Sequence, residues 1–101
     1  MSIDYFKDQI KDELCGAKDY IILALENKST NPMWAKQFVE MSSMELTHAT
    51  TLYNMFNEYY KTLISSYNVV PDYLENAMHE ITTMYTERIP KIKIMHEMYA
   101  K

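Results

Sequence analysis

Three residues of this 101-residue chain combine types and spacings that point to chemistry: Glu45 and His48, three apart in Met44-Glu45-Leu46-Thr47-His48, and Glu13 upstream. Residues three apart on a helix project from one face about one turn apart, so Glu45 and His48 can grip one ion from a single rigid element. Carboxylates with an imidazole and no thiolate suit iron, manganese or zinc better than copper(I) or an iron–sulfur cluster. A carboxylate turned inward without a cation must take up a proton or enter a hydrogen-bonded network. The same three residues therefore also fit a second role, a buried polar cluster that sets how helices pair.

The elements that must position them are helices. There is one Gly and there are three Pro, and no run of alternating β-branched residues lies between turn residues. Ser2 caps a first helix over about 3–27. Asn31-Pro32 then starts a second, an N-cap residue followed by proline at the first helical position, and that helix runs to about 65. Pro71 opens a third to about 99, and Pro90 inside it predicts a kink or break, because proline lacks an N–H and crowds the preceding turn. The whole of 1–101 reads as one all-α domain, a helical hairpin plus a third helix.

Alternating steps of three and four define one stripe per helix. In the first, the stripe is Ile3, Phe6, Ile10, Glu13, Ala17, Tyr20 and Ala24. In the second, it is Trp34, Phe38, Met41, Glu45, His48, Leu52, Met55 and Tyr59. Glu13, Glu45 and His48 interrupt stripes that are otherwise apolar or aromatic, so they are expected to face the core. A short break between helices makes an antiparallel hairpin. At 1.5 Å per residue, Glu13 lies roughly 21 Å from the break, and Glu45 and His48 roughly 20 and 24 Å from it. Stripe and level converge on one cluster.

One hairpin supplies three ligands, too few to close a site. A two-fold dimer would gather two Glu13, two Glu45 and two His48 about one axis. Four carboxylates then balance two divalent cations if the histidines stay neutral, which points to a dinuclear centre at a dimer interface.

Glu13, Ala17, Tyr20, Phe38 and Glu45-x-x-His48-Ala49 together resemble the ferritin and rubrerythrin superfamily. Its di-metal members place one Glu on each of two helices and a Glu-x-x-His on each of two others. With one helix of each kind, the chain is most similar to encapsulated ferritins, short chains whose paired subunits complete a di-iron ferroxidase site. The resemblance covers roughly Ile10 to Tyr59. It implies a ferritin-like four-helix bundle completed by dimerisation, as a homodimer or a ring of dimers. It further implies Glu13, Glu45 and His48 as iron ligands, and oxidation of Fe(II) by dioxygen, with manganese or zinc as alternative metals. No shell-targeting tail follows Lys101 and no Cys-x-x-Cys module is present, so an encapsulating shell is left open and a rubrerythrin-type peroxidase chain is not expected. The competing reading is a non-enzymatic helical adaptor or assembly protein whose Glu/His cluster sets pairing specificity.

The remaining candidates read more plainly. Tyr20 reads as core with its hydroxyl on a polar group, or as a residue behind the ligands. Trp34 reads as packing and Cys15 as a small packing residue. Glu75 with His79, and His96 with Glu97, have no stripe behind them and read as surface. Glu80 and Glu87 flank an apolar stripe of the third helix, and Arg88 reads as a solvated partner of Glu87. Asp8 and Asp12 form an acidic step on a solvated face. The nine Met fill irregular helical surfaces rather than marking a copper site.

The formal charge is −4, and no Lys or Arg lies between Lys36 and Lys61, so no basic stripe can track a nucleic acid backbone. The longest apolar run, Tyr20 to Leu25, is too short to cross a bilayer, so no membrane partner is expected. One cysteine and no leader pattern fit a reducing cytoplasm.

Overall fold

The computed structural model describes residues 2–101. Three helices, α1 (Ile3–Asn27), α2 (Pro32–Ile64) and α3 (Asp72–Ala100), make up the chain, with no strand among the described residues. Two of the starts are capped as their sequences require. Ser2 Oγ accepts from the Tyr5 N–H at 3.2 Å, and Asn31 Oδ1 accepts from the Trp34 N–H at 3.2 Å, ahead of Pro32. α3 has no side-chain cap. It begins after Pro71 in extended conformation, with Asp72 and Glu75 against the positive end of its dipole.

α1 and α2 form the antiparallel hairpin, and α3 returns alongside α1. Lys28 Nζ donates to the Tyr99 carbonyl at 2.6 Å at one end, and Lys7 pairs with Glu80 at 2.7 Å toward the other. The assembly is a thin slab, 58 × 20 × 15 Å.

α1 buries Phe6, Ile10, Leu14, Ala17, Ile21 and Ala24. α2 buries Ala35, Ser42, Ala49 and Phe56, seven residues apart, and then Tyr60. Small side chains at three of those levels let the two backbones come close, and α3 closes one side with Leu74, Ile81 and Ile92. Farther along the hairpin, Phe6 lies against Phe56 and Tyr59, with ring centroids 5.8 and 5.4 Å apart. Tyr53 stacks on Tyr85 of α3 at 4.0 Å.

The buried line of α2 is thus turned by one residue from the expected stripe. Trp34, Met41 and Met55, read as inward, are 58%, 39% and 46% exposed. They flank the buried line because the contact is made by Ala and Ser, which bury completely at an approach distance that large side chains cannot share. Pro90 does not end α3, which runs unbroken to Ala100. Proline removes one backbone hydrogen bond there, but Ile92 beyond it is buried at 3% exposure and holds the helix against α1.

His96 departs from its expected surface position. Ser42 Oγ, fully buried, donates to the Ala17 carbonyl at 2.7 Å, and His96 Nε2 lies 2.8 Å from the same oxygen. A hydroxyl has one proton, so Nε2–H of His96 is the donor to Ser42. One hydroxyl thereby ties the three helices together. Burial pushes the His96 pKa below the ordinary 6.5. The folded chain then favours the neutral ring more than the unfolded chain does. The resulting stability is present above the unfolded value and is lost as pH falls from there through the folded one. Melting temperatures of the wild type and His96→Gln between pH 8 and 5 should therefore differ most near neutrality, with the gap narrowing below about 6.5. A gap constant across that range would contradict the assignment.

Candidate metal centre

Glu13 leaves α1 between the buried Ile10 and Ala17, and Glu45 and His48 leave α2 between Ser42 and Ala49, on the side of the hairpin that α3 does not cover. One donor atom from each of the three lies within 4.8 Å of the others. Among the described residues this is the only group of three or more His, Cys, Asp or Glu donors drawn so close. The level computed from helical rise thus brings the three together. The expectation that they face the core needs correction. Glu13 and Glu45 are half-buried, whereas the His48 side chain is 55% exposed. The reason is the turn in α2 just described, which moves the whole Trp34–Tyr59 stripe to the rim of the groove.

Glu13 Oε2 is buried and accepts no hydrogen bond. His48 Nδ1 stands 3.4 Å from it, inside ion-pair reach but without hydrogen-bonding geometry. A buried carboxylate oxygen without a donor is costly unless a proton or a cation satisfies it. Metal–donor bonds of about 2.1 Å set neighbouring donors about 3.4 Å apart around a tetrahedral ion, so a shared ion would draw the three side chains together by up to roughly 1.4 Å. The donor set therefore fits a divalent ion.

Gly16 lines the other wall, a contact that hydrophobic periodicity does not reveal. A Cβ at this position would lie 3.4 Å from Cδ of Glu45 and 3.5 Å from its Oε2. The signal was available: it is the only glycine in the chain, set mid-helix three residues after Glu13. The distances to Glu45 are ordinary van der Waals ones, so an alanine methyl would sit against its carboxylate without displacing it, and glycine there sacrifices about 0.5–1 kcal/mol of helix stability relative to alanine.

Other candidates lie elsewhere. Tyr20 stacks on Phe38 at 6.3 Å, linking the two helices of the hairpin. Trp34, Met41 and Met44 are exposed along the same edge of α2 as His48. Glu75 and His79 are exposed and hold no part of the cluster. Glu80 reaches Lys7 rather than any acidic site, and Arg88 donates toward Cys15 Sγ at 3.7 Å instead of pairing with Glu87. Cys15 is exposed, not packed. No helix among the described residues is long and apolar enough to cross a membrane.

A family model described as Rubrerythrin matches residues 4–101. Neither the curated proteins nor the solved structures yielded a match.

Gly16→Ala separates fold from site. The variant without metal should melt at the same temperature or slightly higher, since alanine favours the helix. Its stabilisation by added Zn(II) should match the wild type's, because the new methyl meets the Glu45 carboxylate at ordinary contact distance. A zinc-induced shift in melting temperature several-fold smaller than the wild type's would show instead that the carboxylate needs the space glycine leaves.

Proposed function

Since the chain belongs to the Rubrerythrin family, we propose that it is a ferritin-like di-iron protein of ferroxidase type, with its metal centre completed between two copies. The observation that carries this reading is the buried Glu13 Oε2, which accepts no hydrogen bond, facing His48 Nδ1 at 3.4 Å, with Glu45 beside them. Glu13 and Glu45 would hold the ions as carboxylate ligands, and His48 would supply one nitrogen to each. Iron bound there would supply the electrons for reducing dioxygen. Two Fe(II) ions give one electron each to one dioxygen with two protons, leaving two Fe(III) and hydrogen peroxide.

The pairing follows from what one chain lacks. Three donors do not saturate an ion, and the trio opens on a face carrying Trp34, Met41, Met44 and Met55, all exposed. A two-fold axis through that face covers the apolar side chains and doubles the ligands to four carboxylates and two imidazoles. The chain then contributes α1 and α2 to a four-helix bundle, and α3 stays on its outer side. Domains of this family bind iron, while manganese and zinc accept the same ligands.

Anaerobic Fe(II) titration followed by admission of air tests the proposal, with oligomeric state followed by sedimentation. The expected result is about one iron per chain, a dimer favoured by metal, and Fe(III) absorbance appearing at least tenfold faster than with Glu45→Ala. A chain that binds no metal, gives no acceleration and keeps the same assembly with or without a chelator is instead a helical assembly protein whose Glu/His cluster sets pairing.

A further inference from the structure

A second site lies between α1 and α3, apart from the Glu13–Glu45–His48 trio and independent of what that trio binds. A cleft of about 420 Å³ opens there, within the range of small-molecule sites. Its floor is apolar: Leu14 and Ile92 are 1% and 3% exposed, and Met95 is half-buried. Its polar lining is cationic, formed by Lys18, Arg88 and Lys91, and no acidic side chain lines it.

None of those cations forms an ion pair with a carboxylate. Among the described residues the only pair between a Lys or Arg and a carboxylate is Lys7 with Glu80. Arg88 spends one N–H on Cys15 Sγ at 3.7 Å, a weak acceptor, and its other donors remain available. The chain as a whole carries −4, with ten basic residues against fourteen acidic. Three like charges around one apolar hollow repel one another, and an anion seated among them relieves that repulsion. A guanidinium is suited to fork onto a carboxylate, and the lysines add point charges at the rim.

We propose that this cleft binds a small amphipathic carboxylate, a medium-chain acyl anion whose head is held by Arg88 with Lys18 and Lys91. Its tail covers Leu14, Ile92 and Met95. Both halves are required: the floor gives an inorganic anion nothing, and the rim gives a neutral chain no more than any exposed apolar groove would.

Cys15, the only cysteine of the chain, lines the cleft and is exposed, so it reports on occupancy. Alkylation of the full-length protein by iodoacetamide, a neutral reagent, is followed by mass spectrometry with decanoate, decanamide or inorganic phosphate present. Decanoate should slow alkylation saturably, and decanamide and phosphate should each need at least tenfold higher concentration for the same protection. In Arg88→Gln/Lys91→Gln, decanoate protection should weaken at least tenfold, while a melting curve confirms that this surface variant is folded. Should the variant melt out, Lys18→Gln/Lys91→Gln carries the same expectation. No protection by decanoate, equal protection by decanamide, or undiminished protection in the folded variant would each overturn the proposal.

Discussion

Ala17 on α1 and Ser42 on α2 are joined by a 2.7 Å hydrogen bond between fully buried groups, and this approach governs how the rest of the chain is arranged. It is possible because Ala24, Ala35 and Ala49, each fully buried, keep the seam thin. With the axes drawn together at that level, the carboxylates and imidazole one to two turns along the same direction of the hairpin come within 4.8 Å of one another. The lone glycine lies beside them, its position within ordinary contact distance of the Glu45 carboxylate. Ser42 then accepts from His96, so the bond that sets the spacing of α1 and α2 also fixes where α3 lies.

A hairpin groove has two sides, and three helices cover only one. α3 lies over one side with Leu74, Ile81 and Ile92, and the other carries the polar trio inside an apolar border. This placement resolves a conflict in the trio's chemistry. Carboxylates sealed in a core without a cation lose several kcal/mol of solvation, while carboxylates fully in water bind cations weakly. Half-burial holds Glu13 in its orphaned geometry while solvent still reaches His48.

Much of this was legible in the residues, for reasons that differ from element to element. The starts of α1 and α2 are written in Ser2 and in Asn31-Pro32, whose side chains and ring act locally and need no tertiary context. The convergence of Glu13 with Glu45 and His48 followed from helical rise and a short connection, both nearly invariant. Rotation about the helix axis was harder to read. Hydrophobic periodicity weights Trp34, Met41 and Met55, yet the contact is made by Ala35, Ser42 and Ala49, which weigh little on any hydropathy scale. The place of His96 escapes periodicity for a related reason, since it is governed by Ser42, a residue far away in sequence.

The lengths of chain that these ties span have a kinetic consequence. α1 and α2 are joined by a short connection, and their central hydrogen bond links residues 25 apart. The ties that hold α3 begin at 29 residues, from Tyr53 to Thr82, and 35, from Thr50 to Tyr85, with others of 54 from Ser42 to His96 and 71 from Lys28 to Tyr99. Contacts near in sequence close with less loss of chain entropy and form earlier, and distant ones form later. The centre of the hairpin therefore closes at less cost in chain entropy than the end tie of α3 from Lys28 to Tyr99. Loosening that end tie leaves Glu13, Glu45 and His48 at their shared level, since all three stand on α1 and α2.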